Sequence, residues 1–153
     1  MNSDFIETNA ILARASARGS EAKLPYRGAV TPSEAYELIR TGAAKLIDVR
    51  SRFEWDYVGR VPDSTLIEWK RLPSGEINHG FLAELAKAGT PEENYLFLCR
   101  SGVRSHAAAQ AATEAGYRGA FNILEGFEGD LDERKQRGNK GGWRYAGLPW
   151  IQS

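Results

Sequence analysis

Residues 96–116 read LFLCRSGVRSHAAAQAATEAG. An apolar run, Leu96 to Leu98, leads into this stretch and suits a buried strand. An alanine-rich run leads away, and its small side chains would let a helix lie close against a sheet. Between the two sits Cys99, the single cysteine of the chain, with Arg100 and Arg104 and the serines Ser101 and Ser105 all within six residues of it. A strand that feeds directly into a helix is the basic unit of an α/β fold.

The same alternation recurs to either side. VTPSEAYELIRTG (30–42) predicts a helix: Thr31 caps it, Pro32 takes the first helical position, Glu34 completes a capping box and Gly42 stops it. AKLIDVR predicts a buried strand from Lys45 to Val49. RFEWDYVGRVPDS reads as a short helix or turn ending at Gly59 and Pro62, and STLIEW as a strand. NHGFLAELAKAG reads as an amphipathic helix with Phe81, Leu82 and Leu85 on one face. A strand over Tyr95–Leu98, a helix over Val103–Ala115 and a strand over Phe121–Leu124 follow. The pattern implies an α/β fold of three layers: a central, mainly parallel sheet of about five strands with helices on both faces.

A chain of 153 residues fits one domain. Residues 1–24 read as an N-terminal extension, a short helix over residues 4–18 and the linker-like ARGSEAK; residues 25–153 read as the domain itself. The tail EGDLDERKQRGNKGGWRYAGLPW (128–150) reads as an ordered loop anchored by Trp143 and Trp150.

Twenty Lys and Arg balance twenty Asp and Glu, which argues against a nucleic-acid partner. No apolar run approaches the eighteen residues of a membrane span. The first twenty residues lack the cationic start and apolar core of a secretory signal, so the expectation is cytoplasmic. One cysteine excludes an internal disulfide and suits a reducing compartment. His79 and His106 with one thiol make no zinc site, so neither a metal nor a cofactor is expected.

The chemistry is expected at Cys99, at the carboxyl end of a parallel strand, where α/β folds carry their reactive groups. Backbone N–H groups at a helix start lack partners and the helix dipole adds positive charge; both favour thiolate. Arg100 and Arg104 add two full charges, and Gly102 lets the backbone turn tightly around a ligand. A core cysteine would explain the thiol after YLFL, but not the Arg, Ser, Gly, Arg and Ser that follow it.

CRSGVRS on a strand-to-helix turn resembles the active-site loop of rhodanese-like sulfurtransferases. VTPSEAYELI, LIDVRSRFEW and GRVPDSTLIEW resemble the family's opening helix, its Asp-containing strand and the following turn, in the family's order. FNILEGF is similar to the strand after the active-site helix, and GGWRYAGLPW to the ending of bacterial single-domain members, so the likeness covers about Tyr26 to Trp150. The resemblance implies the rhodanese-like fold and a mechanism. A cysteine thiolate takes the outer sulfur of a small anionic donor such as thiosulfate, holds it as a persulfide, and passes it to cyanide, a thiol or a partner protein. By position Cys99 is the nucleophile, and the backbone from Arg100 through Ser101, Gly102 and Val103 to Arg104 would cradle the sulfur. Arg100 and Arg104 would attract the donor, while Ser101 and Ser105 would donate hydrogen bonds within the loop or cap it. Asp48 matches the family's acidic residue and would brace the loop or pair with Arg50; Arg50 would line the pocket mouth or pair with Glu54. Arg60 stands where many members carry a histidine, and Asp63-Ser64 replaces a usual Gly-Ala, which bears on the turn rather than on the thiol.

Three other readings compete. Cysteine phosphatases of related fold space five residues between Cys and Arg, whereas four separate Cys99 from Arg104, a tighter cradle suited to one sulfur. A regulatory binding module typically lacks the cysteine, but a persulfide carrier serving one partner would share the first half-reaction. Redox sensing is a side reaction, since the chain has no second thiol to resolve an oxidised one.

Overall fold

The computed structural model describes residues 3–152. Helix α1 (Ser3–Glu21) leads into strand β1 (Gly28–Val30), helix α2 (Pro32–Arg40), strand β2 (Lys45–Asp48) and helix α3 (Arg52–Tyr57). Strand β3 (Thr65–Leu66) is followed by a two-stranded hairpin, β4 (Lys70–Arg71) with β5 (Glu76–Ile77), and by helix α4 (Phe81–Ala86). Strand β6 (Asn94–Leu98), helix α5 (Val103–Glu114) and strand β7 (Gly119–Ile123) complete the order. The main sheet has five strands in the order β1-β7-β6-β2-β3, and every pairing in it is parallel.

The period of two in the strands divides the core into two layers. Leu46, Leu96, Leu98, Phe121 and Ile123 face one side and pack with Ile11 and Ala15 of α1, Ala35 and Leu38 of α2, and Trp143 of the tail. Ile47, Tyr95, Phe97, Cys99 and Ala120 face the other, against Phe81 and Leu85 of α4 and Ala108, Ala109 and Ala112 of α5. Alanines on α5 allow the close approach that the sequence anticipates.

Local chemistry accounts for several ends. Thr31 and Glu34 form the capping box at the start of α2, with Pro32 in its first turn. Ser51 and Glu54 build a second box on α3. Helix α1 runs on to Glu21, through the stretch expected as linker, and its inner face is in the core. Gly28 explains how: a Cβ there would stand 2.0 Å from the Ala15 carbonyl oxygen, so β1 can lie this close to α1 only without one. Leu82 departs from expectation. It is 40% exposed, because α4 has only six residues and its buried stripe is narrowed to Phe81 and Leu85.

The register sets the site. Asp48 lies beside Leu98, so β2 and β6 end level, and the Val49 N–H donates to the Leu98 carbonyl across the gap at 2.8 Å. Cys99 is the next residue.

Candidate active site

The chain leaves β6 at Cys99 and enters α5 at Val103, turning through Gly102 at φ +116°. A Cβ on Gly102 would meet nothing closer than Asn122 Nδ2 at 3.9 Å, so backbone conformation rather than space requires glycine there. The turn brings the Gly102 N–H onto the sulfur, N···Sγ 3.0 Å.

The tail holds the loop from behind. Phe127 N–H donates to the Cys99 carbonyl at 2.8 Å, and Glu128 N–H to the Arg100 carbonyl at 3.0 Å. Carbonyl and N–H of one trans peptide unit point in opposite directions. Tying those two carbonyls to the tail therefore turns the N–H groups of Arg100 and Ser101 the other way, and among the described residues neither has an acceptor. The first-turn N–H groups of α5 are likewise left open by the helix, so the loop from Arg100 into α5 offers a run of backbone donors without acceptors. Gly126 permits the contact: at φ +67°, a Cβ would lie 2.5 Å from the Arg100 carbonyl carbon.

Cys99 itself is 1% exposed. A thiol activated by nearby positive charge ordinarily sits partly exposed; Cys99 instead belongs to the same buried core layer as Phe97, Ile67 and the α5 alanines. Ser105 Oγ lies 3.2 Å from the sulfur and is fully buried.

The two loop arginines divide. Arg100 is exposed, and among the described residues it makes no ion pair. Arg104 grips Glu54 with a two-pronged bridge, Nη1···Oε1 2.6 Å and Nη2···Oε2 2.9 Å. Burial alone would raise the Glu54 carboxyl, but the guanidinium and the Ser51 bonds outweigh it and hold it at about 2. Burial works against the Arg104 charge, and Glu54 reverses that too, lifting Arg104 above its ordinary value. Arg104 thus stays charged, but its fork is occupied; Arg100 is the cation that meets solvent.

Asp48 and Arg50 form a second, fully buried pair. Arg50 Nε lies 3.0 Å from Asp48 Oδ1, and Nη2 2.7 Å from Oδ2 and 2.7 Å from the Gly59 carbonyl. Its guanidinium carbon sits 4.3 Å from the centre of the Phe127 ring, which offers its face to the cation. Arg50 therefore neither lines a pocket mouth nor pairs with Glu54: it ties β2 to the α3–β3 turn and to the residue that holds the Cys99 carbonyl. Ser101 is half-buried, and Val103 is 77% exposed at the rim.

Four neighbours escape the sequence reading: Glu54 as the partner of Arg104, and Asn122, Tyr26 and His106 behind Ser105. Only Asn122 leaves a signal, a polar residue in the middle of the apolar run AFNIL.

Comparison with known proteins places this geometry in context. A family model described as "Rhodanese-like domain" matches residues 31–133. A crystal structure of the M. tuberculosis protein Rv0390 superposes with a TM-score of 0.74 at 46% identity, covering 84% of this chain and 99% of that one. The human thiosulfate:glutathione sulfurtransferase is 36% identical over 112 residues, 69% of this chain and 96% of its own. A Rickettsia rickettsii protein of uncharacterized function is 34% identical over 134 residues, covering 79% and 94%.

Proposed function

The chain belongs to the rhodanese-like domain family, and from that premise we propose that it is a sulfurtransferase working through a persulfide on Cys99. The observation that carries the reading is the donor array. The N–H of Gly102 already reaches Sγ, and those of Arg100 and Ser101, the two residues that follow Cys99, have no acceptor among the described residues. Such an array suits a negative charge on or next to sulfur.

In the first half-reaction the Cys99 thiolate attacks the outer sulfur of thiosulfate. A bond forms between Sγ and that sulfur; the sulfur–sulfur bond of the donor breaks, and sulfite leaves with its electron pair. One negative charge stays on the outer atom of the persulfide, within reach of the N–H array. Arg100, exposed at the rim, draws the dianion in and steadies the departing sulfite. In the second half-reaction an acceptor, cyanide or a thiolate, attacks the outer sulfur, and Cys99 departs as thiolate. Arg104 acts as a fixed positive charge that Glu54 locks in place, which keeps the start of α5 in register with the loop. Asp48 and Arg50 brace the loop through Phe127. The thiosulfate-dependent activity in the name of the human relative supports thiosulfate as donor.

The test is steady-state thiocyanate formation from thiosulfate and cyanide by the wild type and by Cys99→Ser. Parallel-line kinetics, as expected of a double displacement, and no turnover by the variant would support the proposal. Equal rates in both would refute it.

A further inference from the structure

Behind the sulfur runs a line of polar side chains, buried from Ser105 to Tyr26 and half-buried at His106, that the sulfur-transfer step does not touch. Ser105 Oγ, 3.2 Å from Sγ, lies 2.5 Å from Asn122 Oδ1. Asn122 Nδ2 faces the Gly102 carbonyl at 3.2 Å and the Tyr26 hydroxyl at 3.4 Å. The Tyr26 hydroxyl lies 2.7 Å from His106 Nδ1. Asn122 and Tyr26 are 7% and 6% exposed, so each bond replaces one that water would make.

The direction of the protons between Tyr26 and Ser105 follows from one carbonyl. Gly102 O is an acceptor only, so the Asn122 amide must turn its NH2 towards it, and its Oδ1 towards Ser105. A serine hydroxyl has a single proton. At 2.5 Å Asn122 Oδ1 takes it, and Ser105 is left with lone pairs facing the sulfur. At the far end Nδ2 donates to the Tyr26 oxygen, which in turn lies 2.7 Å from His106 Nδ1. Burial pushes the Tyr26 phenol above its ordinary value, against the opposing Asn122 bond, so it stays neutral. The line therefore matches a sulfur that gives a proton or needs none: a thiol, or the inner sulfur of a persulfide. It is mismatched to a bare thiolate, which wants the Ser105 proton for itself.

We propose that Asn122 is a positioning residue that, oriented by Tyr26 and the Gly102 carbonyl, withholds the Ser105 proton from Cys99 and so fits the pocket to the persulfide rather than to the empty thiolate. The consequence for a sulfurtransferase is that loading relieves the mismatch, which favours uptake of sulfur. That consequence rests on the function proposed above, but the hydrogen-bond direction does not. The charged and titratable groups facing Cys99 are Arg100 and Arg104 on its own loop, Glu54 of α3 through Arg104, Asp48 with Arg50 from β2, and Tyr26 with His106 behind the serine. Substituting Asn122 leaves every one of these charges in place and, of their bonds, removes only the one from Nδ2 to the Tyr26 hydroxyl.

The experiment is the rate of Cys99 alkylation by iodoacetamide as a function of pH, with no sulfur donor present, so its outcome is separate from that of the sulfurtransferase test. In Asn122→Ala the Ser105 proton is released to the thiolate. The midpoint of the profile moves to lower pH by about half a unit, a roughly threefold gain in rate below the midpoint. In a Ser105→Ala background the same Asn122 substitution moves nothing. Tyr26→Phe keeps the ring and removes one hydroxyl; it loosens the amide and moves the midpoint the same way by less, and it serves if the Asn122 variant does not fold. A profile that stays put or moves to higher pH in Asn122→Ala, a shift that persists without Ser105, or a Tyr26→Phe profile coincident with wild type overturns the proposal. A purely structural role would lower the melting temperature and leave the midpoint alone.

Discussion

At Cys99 the sulfur meets one backbone donor at 3.0 Å and almost no solvent. Access, rather than charge alone, then sets what reacts. Relative to its rate with a small free thiol, a bulky aryl maleimide is expected to be slowed at Cys99 at least tenfold more than iodoacetamide, a contrast of about 1.4 kcal/mol in activation free energy; equal slowing of the two would contradict the buried placement. Glu54 gives a second prediction at this scale. Glu54→Gln removes the charge that holds Arg104 at 2.6 Å and costs about 2 kcal/mol of unfolding free energy, measurable by urea titration. Much of this residue chemistry was legible in the sequence. The thiol, the glycine and the two arginines are contiguous, and contiguity needs no fold to interpret. What escaped was set by partners far along the chain. Glu54 lies fifty residues from Arg104, and Tyr26 eighty from His106, and a lone Glu or Tyr carries no mark of the residue it will meet.

At the scale of elements, the loop is held by its surroundings as much as by its own sequence. The turn after β7 takes the carbonyls of Cys99 and Arg100, and Gly126 is the residue that lets it approach. Gly126→Ala combines a left-handed φ with a contact against backbone, and is expected to cost at least about 2 kcal/mol and to slow sulfur uptake; a variant as stable and active as wild type would show that the tail does not shape the loop. By contrast Thr31→Ala, at the capping box of α2, is expected to cost about 1 kcal/mol in stability and leave the chemistry intact. The longer elements could be read from the sequence because their signals are local: capping residues, periodicity, apolar runs. β1 and the β4–β5 hairpin could not. Strands of three and two residues are too short to show a period, and β1 exists because β7 and α1 flank it.

Over the whole molecule, two buried-rim ion pairs tie separate elements together: Arg18 of α1 to Glu34 of α2, and Arg104 of α5 to Glu54 of α3. Burial opposes ionisation of Glu34, but Arg18, the Thr31 backbone and Arg14 prevail and hold it at about 2, the same value as Glu54. Both carboxyls lie below their ordinary 4.5. They therefore add stability that is complete above that pH and disappears as pH falls towards 2. Urea midpoints are expected to be flat from pH 7 to 5 and to drop below 4.5, with a shallower drop in Glu34→Gln; a wild-type midpoint unchanged at pH 3 would contradict this. Glu34 also carries α1 into the fold, so the acid loss includes the helix expected as an extension from the sequence.

The central claim is that Cys99 takes up and holds one sulfur atom. The most direct measurement is the intact mass of the protein after incubation with thiosulfate and removal of the excess, with Cys99→Ser alongside. A gain of one sulfur, about 32 Da, in the wild type alone, lost again on adding cyanide, is the predicted result. An unchanged wild-type mass, in protein whose thiol still reacts with iodoacetamide, would contradict the account.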